Sequence, residues 1–438
     1  MIAVTPNNGK SPPVLRLVMG VLFFRPWLAS LDFNTFSFLD RRKLVGSDVI
    51  LETTVMGYVD AALLCLLLLF LLRNRKQLSG MPFIIPLLFF VAFTSINALI
   101  FSIDRGTSLR KLSKVYLYVT HLAIFYLLAN DKRNVTFLRA VLFSAMFPVV
   151  YGWFDFLVNS DLGLGTLLSR EYREYSTFSH ANSYAFFLSA VGISAISLYF
   201  LDPKRRTRYV GAIVVIFASL LTTGARMAMA AFIFAQVISF SGFKKKIILY
   251  MGIAVILLLN IDLYAKTFSA VLTAVPDLVN GNVSEALQTA GSDILSIPEN
   301  EIYVNEFASR FLIWGRLLDG LSDNYLWGMG LFAANKFYAI NYGDNYNPHN
   351  DYIRLLFELG VVGSLLYFGF FGLVFFKLMT RSNMNKGKYD YHIRSLIAFI
   401  PFMGLVSLTD NIFLDPSFGL ILFCVMGILL RILSNTEG

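Results

Sequence analysis

Apolar residues along this chain gather into long runs, about 16 to 26 residues each, with few charges inside them. Such runs are too long for core strands and match the roughly 20 residues a helix needs to cross ~30 Å of hydrocarbon. Divided at the charged interruptions, they predict spans near 14 to 31, 55 to 72, 82 to 103, 112 to 129, 135 to 158 and 181 to 201. Further spans follow near 208 to 223, 225 to 241, 247 to 262, 351 to 376, 393 to 409 and 412 to 431. The expected fold class is all-α: a polytopic membrane protein of about 12 transmembrane helices. Residues 263 to 350 form the sizeable stretch between spans 9 and 10. Their mixed composition, with Pro276, Gly281, Gly291 and Pro298 as breakers, predicts short amphipathic helices lying over the membrane domain as a lid. No internal repeat is evident, so residues 1-438 read as one domain with 263-350 inserted in it.

Composition supports that reading. Of 438 residues, 56% are hydrophobic and 15% charged, which excludes a soluble globular enzyme. Lys plus Arg exceeds Asp plus Glu by 37 − 28 = 9. The excess is placed: Arg73/Arg75/Lys76, Lys132/Arg133, Lys204/Arg205/Arg206/Arg208, Lys244 to Lys246 and Lys377/Arg381/Lys386/Lys388 all fall on one side of a twelve-span arrangement. Retained basic loops mark the cytoplasmic side, which puts both termini there and 263 to 350 outside. Arg16 and Arg25 bracket the first short apolar run and no small-residue cleavage pattern follows, so a cleaved signal peptide is not expected. Cys65 and Cys424 lie in apolar runs, and no CxxC or His/Cys cluster occurs, so no metal site or disulfide framework is indicated. Walker, dinucleotide, HExxH and GxSxG motifs do not occur; neither a cofactor nor a nucleic-acid partner is expected.

Four polar stretches on the outer side could carry chemistry. In Asn347-Pro348-His349-Asn350-Asp351, Asn347 suits an N-cap and Pro348 the first helical position, so His349 would fall in the first turn of a helix. The positive helix end there favours a neutral imidazole, able to act as general base, and its N–H groups attract phosphate oxygens. An interfacial histidine solvated at a helix end would look the same. Thr222-Thr223-Gly224-Ala225-Arg226 reads as a tight turn, with Arg226 starting the next helix, where a cation is tolerated beside an anion or by snorkelling to lipid phosphates. In the lid, Arg310, Trp314 and Leu317 share a helical face flanked by Ile313 and Arg316. Guanidinium beside an aromatic ring suits sugar stacking and phosphate clamping, and also an ordinary interfacial helix. In Ser176-Thr177-Phe178-Ser179-His180-Ala181-Asn182-Ser183, His180 and Asn182 could bond a sugar or cap a helix. Asp60, Asn97, His121 and Asp155 are polar exceptions within spans and form no recognisable relay.

The order of these stretches resembles the bacterial O-antigen ligase and polysaccharide polymerase superfamily of integral membrane glycosyltransferases. Ser176 to Asn182 looks like its Phe-x-x-Pro-Asn segment without the proline, and Thr223-Gly224-Ala225-Arg226 like its Thr-Gly-Ser-Arg turn. Arg310 to Trp314 looks like Arg-x-x-x-Trp, Asp323 to Gly330 like a segment ending in Gly-x-Gly, and His349-Asn350 followed by Gly360 like the signature before a late span. The resemblance covers roughly 170 to 376. It implies metal-independent transfer from an undecaprenyl-diphosphate-linked glycan donor to a glycan or lipid A core acceptor, at the periplasmic face of the inner membrane. It further implies His349 as catalytic residue and Arg226 and Arg310 on the diphosphate. Arg316, Trp314, Asn350, His180 and Asn182 are then candidates for substrate contact, and membrane lipids and a chain-length regulator are further partners. Gly360-Val361-Val362-Gly363-Ser364 stands where ligases acting on lipid A core often carry a Thr-Thr pair, which turns the expectation toward a polymerase of O-antigen or exopolysaccharide repeat units. A lipid-linked oligosaccharide flippase would instead distribute cations through its spans, and a scaffold would not need His349 and Arg226 where they stand.

Overall fold

The computed structural model describes residues 13, 16, 17, 20, 55–159, 176, 178, 181–239, 302–321, 324–342, 348–382, 388–413 and 415–437. Regular structure among them is helical throughout. Most of the expected span near 14 to 31, the whole of that near 247 to 262, lid residues 263–301, His180 and Asn347 lie outside the described residues.

The first half comprises α1 (Val55–Arg73), α2 (Ile84–Ile96, continued by a π turn over Asn97–Phe101), α3 (Arg105–Leu128) and α4 (Asp131–Ser144). It continues with α5 (Met146–Asn159), α6 (Ala181–Leu201), α7 (Arg206–Thr222) and α8 (Arg226–Ser239). The second half has α9 (Ile302–Gly320), α10 (Ala333–Tyr342), α11 (Asp351–Ser382), α12 (Lys388–Ile397), α13 (Phe399–Val406) and α14 (Pro416–Glu437). Among the described residues five helical stretches are long and apolar enough to cross a membrane: Ile84–Phe101, Lys132–Phe154, Ala181–Leu201, Asp351–Thr380 and Ser417–Asn435. Shorter apolar helices lie at Leu63–Arg73, Arg226–Val237 and Tyr391–Val406. Helices α3 and α7 also fall where spans were expected; α3 carries Arg105, Lys111 and Lys114 within its first ten residues, and α7 carries Arg206 and Arg208 in its first turn.

Two expected spans are broken in the middle for one reason. Pro148 has no N–H to give to Ser144, and Pro401 none to give to Ile397; each ring also crowds that carbonyl. The breaks fall at Ala145, between α4 and α5, and at Ala398, between α12 and α13.

Helix α6 is enclosed by α4, α7, α8 and α12, and nearly its whole length is buried. Helix α14 lies along α3. At Gly427 a Cβ would run into the carbonyl oxygen of Leu122 and the Cβ of Phe125, so the bare backbone is what lets these two helices approach. Arg139 and Tyr209 both bond Asp202 Oδ2, at 2.5 and 2.8 Å, tying α4 to the α6–α7 turn.

The described part of the lid is α9 and α10, both packed on α11. Ile313, Leu317 and Leu321 of the α9 region and Ala333, Ala334 and Tyr338 of α10 close around Phe357 in an apolar cluster of their own.

Helix α11 is interrupted at Gly360, whose φ of 65° and ψ of −174° leave the helical ladder. The segment Tyr325–Gly330 crosses there and takes up the released groups. Met329 N donates to Phe357 O and Gly330 N to Glu358 O, both at 2.9 Å, while Val361 N donates to Tyr325 O at 2.9 Å. Asn97 Nδ2, from the π turn, donates to Trp327 O at 2.6 Å and Glu358 O at 3.2 Å. Irregular backbone within an apolar stretch survives only where protein groups satisfy it, and this crossing does so. A Cβ on Gly328, itself at φ 76°, would collide with Gly360 N, and one on Gly360 with Leu326 O. The Gly-x-Gly segment and the glycine after His349 are thus two sides of one contact.

Candidate active site

Residues Ser407 to Phe413 form a strap joining α13 to α14, and His349, Asn182, Arg310 and Asn350, among the residues singled out in the sequence, converge on it. His349 Nδ1 lies 3.2 Å from Asp410 Oδ1. Asn182 Nδ2, in the first turn of α6, makes a short hydrogen bond to Asp410 Oδ2, and Asn411 N donates to Oδ1 at 2.8 Å. Arg310 Nη1 donates to Thr409 O at 3.1 Å. One helical turn on, Trp314 Nε1 donates to Pro348 O at 2.6 Å, so α9 grips both the strap and the segment carrying His349. Asn350 Nδ2 donates to Leu408 O at 3.1 Å.

The start of α11 corrects one expectation. Pro348 and His349 precede the helix, which begins at Asp351, and His349 has a left-handed φ of 48°. Asn350 is the cap: its Oδ1 accepts from Tyr352 N at 2.9 Å and Ile353 N at 3.1 Å, two of the donors a helix start leaves over. The cap therefore sits three residues later than Asn347. His349 is on the outer side of the cap, where its side chain is 30% exposed while that of Asp410 is 13% exposed.

Burial alone would push the Asp410 carboxyl up. The His349 imidazole and the Asn411 and Asn182 donors outweigh it and hold the carboxyl below the usual carboxylate range. In the tautomer whose Nδ1–H donates to that anion, Nε2 carries the imidazole lone pair and is free to take a proton.

Arg226 is the first residue of α8 and half-buried. The turn before it has Gly224 at φ 60°, and Thr223 Oγ1 accepts from Ala225 N at 3.1 Å. Helix α6 leaves the Asp410 end, α7 returns alongside it, and α8 packs on α13, which runs into the strap; the Thr222–Arg226 turn is thus at the same end of the bundle. Helices α6, α8, α11 and α14 all begin there, so four positive helix ends face that region.

Arg316 goes elsewhere. Its Nη1 donates to Tyr338 OH at 2.9 Å and its guanidinium lies 4.3 Å from the Tyr342 ring, both on α10. Six positions along a helix turn it about 120° away from Arg310, so it flanks α10 rather than the strap. Among the described residues no three His, Cys, Asp or Glu side chains gather into a set able to hold a metal ion.

Asp410 and Thr409 were not singled out from the sequence. Thr409 ends the expected span 393 to 409 and Asp410 falls in the two-residue gap before the next, so the signal was an acid between two apolar runs.

Residues 211–368 match the family model described as O-antigen ligase. The matched stretch takes in Arg226, Arg310, His349 and Gly360 and leaves Asn182 and Asp410 outside it. No curated protein matches the chain.

Proposed function

We propose that this chain, whose residues 211–368 match the O-antigen ligase family model, polymerises O-antigen or exopolysaccharide repeat units at the periplasmic face of the inner membrane. The donor is a glycan on undecaprenyl diphosphate and the acceptor a sugar hydroxyl. The observation that carries the reading is the His349–Asp410 pair on a strap that Arg310 also touches.

In this reading His349 Nε2 takes the proton of the acceptor hydroxyl as its oxygen attacks the anomeric carbon. The bond from that carbon to the diphosphate oxygen breaks, a new glycosidic bond forms, and undecaprenyl diphosphate leaves with one more negative charge. Arg310 and Arg226, together with the helix N-termini around them, are suited to meet that charge. A diphosphate is already a good leaving group, so the chemistry asks for one base and positive charge, which the site's residues can supply without a cofactor. Trp314, Asn350 and Asn182 line the same region and are candidates for sugar contact, as is His180; Arg316, engaged with α10, is the weakest of the set.

A ligase moving the glycan to lipid A core would use the same donor and base. The test is to incubate purified protein with undecaprenyl-diphosphate oligosaccharide, with and without lipid A core. A polymerase lengthens the lipid-linked glycan in either case; a ligase moves it only when lipid A core is present. A product in neither case would remove the glycosyl-transfer reading.

A further inference from the structure

Asp351, the first residue of α11, holds both ends of the strap. Its N–H donates to Ser407 O at 2.8 Å, and its Oδ2 accepts from Phe413 N at 2.8 Å and from Ser407 Oγ at 3.5 Å. Asp410 sits midway between those two anchor points, and Asp351 is fully buried beneath it. The same three-residue run therefore supplies His349 to one face of Asp410, Asn350 to Leu408 O and Asp351 to the strap's first and last residues.

We infer that Asp351 is a positioning residue for the transfer reaction: by fastening Ser407 and Phe413 it fixes where Asp410 presents its carboxylate to His349. The inference rests on the reading of His349 as the base. A strap with five residues between its first and last anchor points has many conformations open to it; tying both ends to one buried residue at the start of the helix that follows His349 removes most of them. The role calls for an acceptor oxygen at Oδ2, which an amide also offers, and does not call for contact with substrate. Small displacements of a base from its proton cost much in rate and little in binding.

The experiment measures kcat and donor KM, by transfer from undecaprenyl-diphosphate oligosaccharide, for wild type, D351A, D351N, D410A, H349A and D351A/D410A, with melting temperature in detergent recorded for each. D351A is expected to lower kcat at least tenfold, on the order of a 1 Å misplacement, with donor KM unchanged. D351N should recover most of the loss, and D351A/D410A should be no slower than D410A. Should D351A not be recovered folded, D351E, which shifts the carboxylate by one methylene, carries the same test of kcat against KM. Full activity in D351A, a loss that D351N does not relieve, or additive losses in the double variant would overturn the inference. Activity in H349A would overturn the reading beneath it instead, so the two failures are told apart.

Discussion

Asn182 and His349 divide the Asp410 carboxylate between them, the amide on Oδ2 and the imidazole on Oδ1. Residues from α6, from the segment before α11 and from the strap before α14 thus meet at one side chain. If that carboxylate orients the imidazole, Asp410→Asn should keep the fold and donor KM while lowering kcat by on the order of 10²-fold or more. Asn182→Ala, which leaves Oδ1 and its imidazole in place, should cost less than Asp410→Asn. Steady-state kinetics on the three proteins checks the ordering.

The folded protein holds Asp410 below the usual carboxylate range, and that fixes the sign of an acid titration. A carboxyl depressed on folding adds stability above its unfolded pKa of about 3.9 and loses it as pH falls through the lower folded value. Wild type should therefore melt above Asp410→Asn at neutral pH, and the gap should close only below about pH 4. Melting curves from neutral to acid pH measure it; a gap that widens with acid would contradict the assignment.

Arg226 and Arg310 are expected to act on the diphosphate, and Arg316 is not. Arg226→Ala and Arg310→Ala should each lower kcat/KM by about 10²-fold or more, as loss of a group facing developing negative charge does. Lysine at either position should restore only part, since it lacks the planar fork. Arg316→Ala, which removes contacts to Tyr338 and Tyr342, should lower the melting temperature and leave kcat/KM near wild type.

The crossing at Gly360 predicts stability effects remote from the chemistry. Gly360→Ala and Gly328→Ala each force a side chain onto a left-handed backbone, about 1–2 kcal/mol before the collision with the opposing backbone is counted. Asn97→Ala leaves the carbonyls of Trp327 and Glu358 without its amide, at about 1–3 kcal/mol. All three should melt lower than wild type, while the control Gly211→Ala, inside α7 where a Cβ meets nothing, should not.

Much of this was legible in the sequence because it is local. The i, i+4 spacing of Arg310 and Trp314 put both on one face of α9, and both do reach the His349 region. The Thr223-Gly224 turn and the helix starting at Arg226 follow from residue type. The cap of α11 lies three positions beyond the one expected because Asn347 and Asn350 are equally good caps by residue type, and only the left-handed His349 decides between them. The breaks at Pro148 and Pro401 were present in the sequence, yet an apolar run hides them. Asp410 escaped notice because its partners, Asn182 and His349, are 228 and 61 positions away. The meeting of Gly328 with Gly360 likewise has no periodic signature, since it depends on a loop crossing a broken helix.

The most direct test is single-turnover transfer from undecaprenyl-diphosphate oligosaccharide by wild type and His349→Ala, following release of undecaprenyl diphosphate. Wild type should release it in step with formation of a lengthened glycan, and His349→Ala, folded to the same melting temperature, should form almost none. Equal rates in the two proteins would contradict the account at its centre.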